Sequence, residues 1–386
     1  MKIIDIQPYV LSQDLETPFY FSQWHYASRK ICLVKVTLED GTYGWGEGYG
    51  PADMIKTGID FFKPFVLGEN ALENEKIWQI MYLRSMDFGR SGIFNAAISA
   101  IDIALWDAKG KLLNLPVSVL LGGVKNPVIH PYATGFYFTD SPTLEEDLAK
   151  EAKIYKELGF KAAKMKVGLG IEKDVHYVEL LKKHLGDDVK LMIDSNHAYN
   201  YREALKLCKR IEHLDIGWFE EPVHPEDYKG YSKLRENTTI PIAGGECEYL
   251  RHGFKRLFET ESVDIAQPDI CASGGLTEAK RIAALASSYH KDIVPHSWGT
   301  WIAISAAVHF VSNLDQNPGR MFRNAPMIEL DRTENPLRDD VTKHSIQVNN
   351  GEIQVPTTPG LGVDVNQEFL EKYSIDKNAS TEPLWS

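Results

Sequence analysis

Three short runs decide the fold: "KLMIDSN" (190–196), "IGWFEEP" (216–222) and "IPIAGGECE" (240–248). Each is rich in β-branched or bulky apolar residues and closes on a carboxylate, Asp194, Glu220 or Glu246. The carboxylates lie 26 residues apart, twice in succession. One strand, one helix and their loops occupy roughly 25–30 residues in a barrel of alternating strands and helices. Equal spacing therefore puts the three acids at the ends of neighbouring parallel strands, facing one mouth. Similar runs occur near 131–137, 161–167, 263–269, 290–296 and 321–329. Amphipathic segments such as 143–158 and 201–213 separate most of them. Eight runs predict an α/β protein with a modified (β/α)8 TIM barrel over residues 126–345.

Upstream the pattern differs. Residues 2–12 and 30–38 read as strands, Asp40-Gly41 as a hairpin turn and "TYGWGEG" (42–48) as the return strand. Helical spacing follows over 52–66, 73–86 and 92–114. Strands first and helices after predict an N-terminal α+β capping domain over residues 1–125. The tail, 346–386, begins with short strand-like pieces in "SIQVNNGEIQVP" (345–356) and is expected to return to the capping domain.

The chain has 386 residues, 43% of them hydrophobic, and a net charge of −12. That charge argues against a nucleic-acid partner. Cys32, Cys208, Cys247 and Cys271 form no CxxC pair and no disulfide framework. No leader pattern opens the chain and no apolar run reaches membrane-spanning length, so the expectation is a cytoplasmic protein with no membrane partner.

Chemistry in such barrels sits at the C-terminal ends of the strands. The second run, "KAAKMKVGLG" (161–170), places Lys164 and Lys166 on one face. The third ends at Asp194 and Asn196, the fourth at Glu220 and Glu221, the fifth at Glu246, the sixth at Asp269, the seventh at His296 and the eighth near Glu329. Carboxylates gathered in one place are costly without a cation. An all-oxygen ligand set suits Mg2+, or Mn2+, better than zinc. Asp269 and His296 lie one unit apart, so the carboxylate can fix the imidazole tautomer. A lysine and a histidine then face each other across a metal-bound ligand. One can take a proton α to a carboxylate while the other delivers a proton on the opposite side. Repulsion from Lys164 and the positive charge of the metal are together expected to lower the Lys166 pKa and make it a usable base, with Lys164 bonding a substrate carboxylate.

These residues carry a resemblance. "AISAIDIALWDAKGKLLNLPVSVLLGG" (97–123), "MIDSNHAY" (192–199) and "FEEP" (219–222) look like signatures of the enolase superfamily, in its mandelate racemase and muconate lactonizing enzyme branch. The likeness runs nearly end to end, and a lysine or histidine base beside Mg2+ is that superfamily's pattern. "CLVKVTLEDGTYGWGEGYGP" (32–51), "HPYATGFY" (130–137), "VPHSWGT" (294–300), "IELDRTENPLRD" (328–339) and "PGLGVDVN" (359–366) look most like galactarolactone cycloisomerases. Those enzymes open a sugar-acid lactone by β-elimination to a 2-keto-3-deoxy acid. The resemblance implies Lys166 and His296 as the acid/base pair, Lys164 and Asp269 beside them, and Asp194, Glu220 and Glu246 around Mg2+. It also implies a small-molecule sugar acid or lactone as partner and a possible homo-oligomer. Related cycloisomerases act on anhydro-sugar acids, where an ether oxygen leaves. A dehydratase would lose water instead, and a racemase or epimerase would use the same two faces without elimination. The aromatic segment 17–30 and "GECEYLRHG" (245–253) depart from the cycloisomerase group, which leaves the sugar open.

Further candidates surround this set. Asn196, Glu329 and Trp298 are expected to touch substrate. Trp24 and Tyr26, on a loop over residues 17–28, and Tyr49 with Glu47 belong where the cap meets the mouth; domain-interface packing is the competing reading for the two aromatics. Trp301 reads as core or pocket wall, and Arg84 and Arg90 as exposed. His197 reads equally as pocket lining or surface. Glu221, Cys247 and Cys271 read as structural.

Overall fold

The structure, a computed structural model, describes residues 1–315, 319, 321, 324–342 and 346–375. The N-terminal sheet has three antiparallel strands, β1 (Ile3–Phe21), β2 (Trp24–Leu38) and β3 (Tyr43–Gly48). Three helices follow: α1 (Ala52–Val66), α2 (Asn74–Ser85) and α3 (Ile93–Leu113). The first two strands run far beyond the expected 2–12 and 30–38. Residues 17–28 are the two arms of a hairpin, with Phe21 opposite Trp24, and not a loop. The sequence hid this because the register shifts between Asp14 and Phe19, which breaks the alternation by which a strand is read.

Helix α3 is buried almost along its whole length, from Asn95 to Ala108. A helix apolar all round must be enclosed. β3 lies on one side of it, and its Gly44 and Gly46 let the strand approach: a Cβ at either would overlap the Ala104 or Ala100 carbonyl oxygen. This explains the glycines of "TYGWGEG". On its other side Asp102 accepts hydrogen bonds from the backbone and hydroxyl of Thr277, in the barrel. Among the described residues, no helix is long and apolar enough to cross a membrane.

Eight parallel strands form the barrel wall: β4 (Val128–Gly135), β5 (Ala162–Lys166), β6 (Lys190–Asp194), β7 (Phe219–Glu220), β8 (Ile242–Gly244), β9 (Ile265–Ala266), β10 (Asp292–Ile293) and β11 (Met327–Asp331). They pair in chain order from β4 to β10, and β11 pairs with β4. The eighth strand starts at Met327 rather than 321; residues 322 and 323 of that run lie outside the described residues. Helices cover the outside, and each start follows local chemistry. Asn200 and Glu203, for example, form a reciprocal capping box at the head of the helix Tyr201–Ile211.

The tail does two things. A small hairpin, β12 (Val348–Asn349) and β13 (Glu352–Gln354), pairs through β13 with the start of β4. Beyond it, the Ile375 N–H donates to the Val10 carbonyl, and Tyr43 and Trp45 both donate to the Asp364 carboxylate. Residues 376–386 of the expected C-terminal segment lie outside the described residues.

Candidate active site at the barrel mouth

The strand register explains the 26-residue spacing. Lys166 lies opposite Asp194, and Asp194 opposite Glu220, in successive ladders. Glu246 lies two residues beyond the end of β8. Asp269 and His296 each lie three residues past a paired position, Ala266 and Ile293. Equal overshoot brings them together: His296 Nδ1 is 2.6 Å from Asp269 Oδ2, and the Cys271 N–H fixes the other Asp269 oxygen.

The groups form one buried network. Lys164 Nζ donates to Glu220 Oε1 at 2.5 Å and lies 2.9 Å from Glu329 Oε1. Lys166 Nζ donates to Asp194 Oδ2 at 2.5 Å and to Asn196 Oδ1 at 2.8 Å. His296 Nε2 faces Glu246 Oε2 at 3.4 Å and Glu329 Oε2 at 3.8 Å. Trp218 and Gln267 donate to the outer Glu220 oxygen, and Thr134 and the Ser297 N–H hold Glu329. Nine predicted residues thus meet: Lys164, Lys166, Asp194, Asn196, Glu220, Glu246, Asp269, His296 and Glu329.

The side chains alone set the charge balance of this network. Burial pulls the Lys166 ammonium down, yet the Asp194 carboxylate carries it above the ordinary lysine value. Repulsion from Lys164 acts in the expected direction and is outweighed. Burial likewise opposes protonation of His296, but Glu246 and Glu329 raise it to about 10. Glu246 is pushed up to about 8 by burial and by the charge of Glu221. Asp194, Glu220, Glu246, Asp269 and Glu329 outnumber the cationic groups Lys164, Lys166 and His296, and Glu221 adds to the crowding at Glu246. A buried acid forced to hold its proton is what such a deficit of positive charge produces, and a cation relieves it. The all-oxygen trio Asp194, Glu220 and Glu246 therefore fits a hard cation. Among the described residues, the donors that already lie within 4.8 Å of one another are a different trio, His197, Glu221 and Cys247.

The cap closes over this ring. Gln23, at the β1–β2 turn, donates to the Asn196 carbonyl at 2.7 Å. Phe21 and Tyr137 lie 5.1 and 5.5 Å from Lys166 Nζ. Tyr26 packs edge-on to Trp298 with ring centres 4.9 Å apart, and Tyr49 lies 5.1 Å from the His296 ring. Arg29, buried, stacks on Trp298 at 3.8 Å and pairs with Asp331 at 2.6 Å, tying hairpin to barrel. Trp24 stands at the hairpin tip, 40% exposed.

Glu47 keeps its place where cap meets barrel, accepting from the Thr300 N–H and hydroxyl at the head of the helix Trp301–Ser312. Cys271 is buried packing, but Cys247 is open to solvent, with its sulfur 3.5 Å from His197 Nε2. Arg84 and Arg90 are exposed and Trp301 is core. Thr134 and Tyr137, at the end of the first run, also face this ring, and the strand-end rule extends to them. Arg29 carries no sequence signal, because its partners lie about 300 residues away.

Family models match twice. Residues 6–122 match the mandelate racemase / muconate lactonizing enzyme N-terminal domain, and residues 147–369 match the enolase C-terminal domain-like family. A D-galactarolactone cycloisomerase of Agrobacterium fabrum is 38% identical over 373 residues, 97% of this chain and 99% of its own. An arabinonate dehydratase of Saccharolobus solfataricus is 35% identical, over 89% and 90% of the two chains. The crystal structure of a 3,6-anhydro-D-galactonate cycloisomerase from Zobellia galactanivorans superposes with a TM-score of 0.90 at 63% identity, covering 97% of this chain and 100% of that one.

Proposed function

The chain belongs to the mandelate racemase and muconate lactonizing enzyme family of the enolase superfamily, and on that premise we propose that it is a cycloisomerase of an anhydro-sugar acid, with a sugar-acid lactone as the neighbouring possibility. We take 1–125 as cap, 126–345 as barrel and 346–386 as returning tail. The observation that carries the reading is the pair Lys166 and His296, buried on opposite sides of the carboxylate trio.

In the reaction the C2–H bond of the acid breaks and a C2=C3 double bond forms as the ring C–O bond at C3 breaks. The freed ring oxygen takes a proton. The resulting enol ketonises by taking a proton at C3, and the product is a 2-keto-3-deoxy acid isomeric with the substrate. Lys166 and His296 are the acid/base pair. Asp269 holds the His296 tautomer, so that Nε2 faces the substrate. Lys164 bonds a substrate carboxylate oxygen, and Asn196 and Glu329 line the same space. Asp194, Glu220 and Glu246 would hold Mg2+, with Mn2+ as a substitute. Bound there, the cation supplies positive charge against the negative charge that grows on the substrate carboxylate as the α-proton leaves. Phe21, Tyr26, Tyr137 and Trp298 exclude water above the reacting carbon.

The test is mass spectrometry of anhydro-sugar acids, sugar-acid lactones and open-chain sugar acids incubated with the protein and Mg2+ in D2O. A keto product of the substrate's mass, apart from deuterium, supports the cycloisomerase. Loss of one water establishes the dehydratase instead. Deuterium without a keto group establishes a racemase or epimerase.

A further inference from the structure

Each carboxylate of the trio is followed along its own segment by a second donor that the proposed reaction does not use. His197 comes three residues after Asp194, Glu221 follows Glu220, and Cys247 follows Glu246. The backbone turns left-handed at His197 and Glu221, with φ of 66° and 45°. His197 Nε2 lies 3.0 Å from Glu221 Oε2 and 3.5 Å from Cys247 Sγ. All three donor atoms lie within 4.8 Å of one another. Two ligands at about 2.0–2.3 Å from a tetrahedral centre stand about 3.3–3.7 Å apart, so these spacings need little adjustment.

Two further features fit a metal site. His197 Nδ1 faces the Val223 carbonyl at 3.3 Å. A carbonyl and a carboxylate can only accept, so without a cation Nδ1–H points at Val223 and Nε2–H at Glu221. The Val223 bond holds the ring so that Nε2, once its proton leaves, aims a lone pair at the space between Glu221 and Cys247. The donors also differ in depth: the Glu221 side chain is 2% exposed, His197 is 15% exposed and Cys247 opens to solvent. That leaves an entry path and a fourth position for water.

We propose that His197, Glu221 and Cys247 form a second, inhibitory cation site selective for thiophilic divalent ions such as Zn2+, distinct from the all-oxygen trio. On binding, the sulfur–metal and Nε2–metal bonds form, and the thiol proton and the Nε2 proton both pass to solvent. The effect reaches the reacting groups through Asn196. Its side-chain nitrogen contacts Glu221 Oε2 at 3.5 Å, and its oxygen accepts from Lys166. A cation that draws Glu221 away loosens this anchor, so turnover falls while Mg2+ stays bound.

The test titrates the Mg2+-loaded protein with Co2+ and then measures Zn2+ inhibition at saturating Mg2+. One equivalent of Co2+ should give a near-ultraviolet thiolate-to-cobalt charge-transfer band in the wild type and none in Cys247→Ser. The same variant should keep wild-type turnover with Mg2+ and need at least about tenfold more Zn2+ for inhibition, having lost one of three protein ligands. His197→Ala should weaken Co2+ binding comparably. No band in the wild type, a band that survives in Cys247→Ser, or Zn2+ inhibition unchanged by that substitution would overturn the site. The cobalt band needs no substrate, so this inference can fail while the sugar-acid reading stands, and the reverse.

Discussion

The ring of strand ends and the hairpin above it are built on opposite principles. Lys166, Asp194 and Glu220 are register partners, so backbone hydrogen bonds fix their relative positions before any side chain contributes. The hairpin meets the barrel through one backbone bridge, Tyr20 to Phe138, and otherwise through side chains: Arg29 on Trp298 and Asp331, Gln23 on a carbonyl, and rings packed on rings. A frame set by the backbone keeps one chemistry; a lid fastened mostly by side chains can change its substrate one residue at a time.

The sharpest way to break this contrast is to remove the cation. Exhaustive chelation should abolish turnover, and Mg2+ should restore it; full activity after chelation would end the reading of the trio. Next come Lys166→Ala and His296→Asn. Each should cost roughly 10²–10⁴-fold in kcat, the worth of a positioned acid or base, with the fold intact by circular dichroism.

The lid should respond differently. Arg29→Ala leaves buried Asp331 with Thr333 and the more distant Arg338 guanidinium, and removes the stack on Trp298. We expect about 3 kcal/mol less stability, as for a broken buried pair, and a rise in KM exceeding the fall in kcat. Mg2+ affinity should not move. Equal losses in kcat and kcat/KM would mean that the hairpin belongs to the reacting ring.

What was legible in the sequence follows the same division. Eight strands, the carboxylate trio and the Asp269–His296 pair could be read because a repeating β/α unit writes its period into the chain. The hairpin arms could not, since a register shift erased their alternation. Spacing shows that Lys164 is near Lys166 but not that Asp194 bonds its ammonium. Nor does one sequence position reveal which side of a strand end faces water, as at Cys247.

The smallest effect lies at the seam between the regions. Burial raises the Glu47 carboxyl to about 7. The folded state therefore binds this proton more tightly than the unfolded chain, whose value is ordinary. Stability from this group is greatest below pH 4.5 and declines as pH rises through 7, by up to about 3 kcal/mol. Glu47→Gln, which keeps an acceptor for Thr300, should flatten that decline in denaturant unfolding at pH 5 and pH 8. An unchanged slope would place the pH dependence elsewhere.

The central claim is that a lysine and a histidine serve one substrate from opposite sides. Its most direct test follows deuterium from D2O into recovered substrate and product, with Lys166→Ala and His296→Asn each incubated with the anhydro-sugar acid and Mg2+. The account predicts that one variant exchanges the α-hydrogen without releasing keto acid, because it keeps the base and lacks the acid, while the other does neither. Keto-acid formation within a few-fold of wild type in both variants would contradict it.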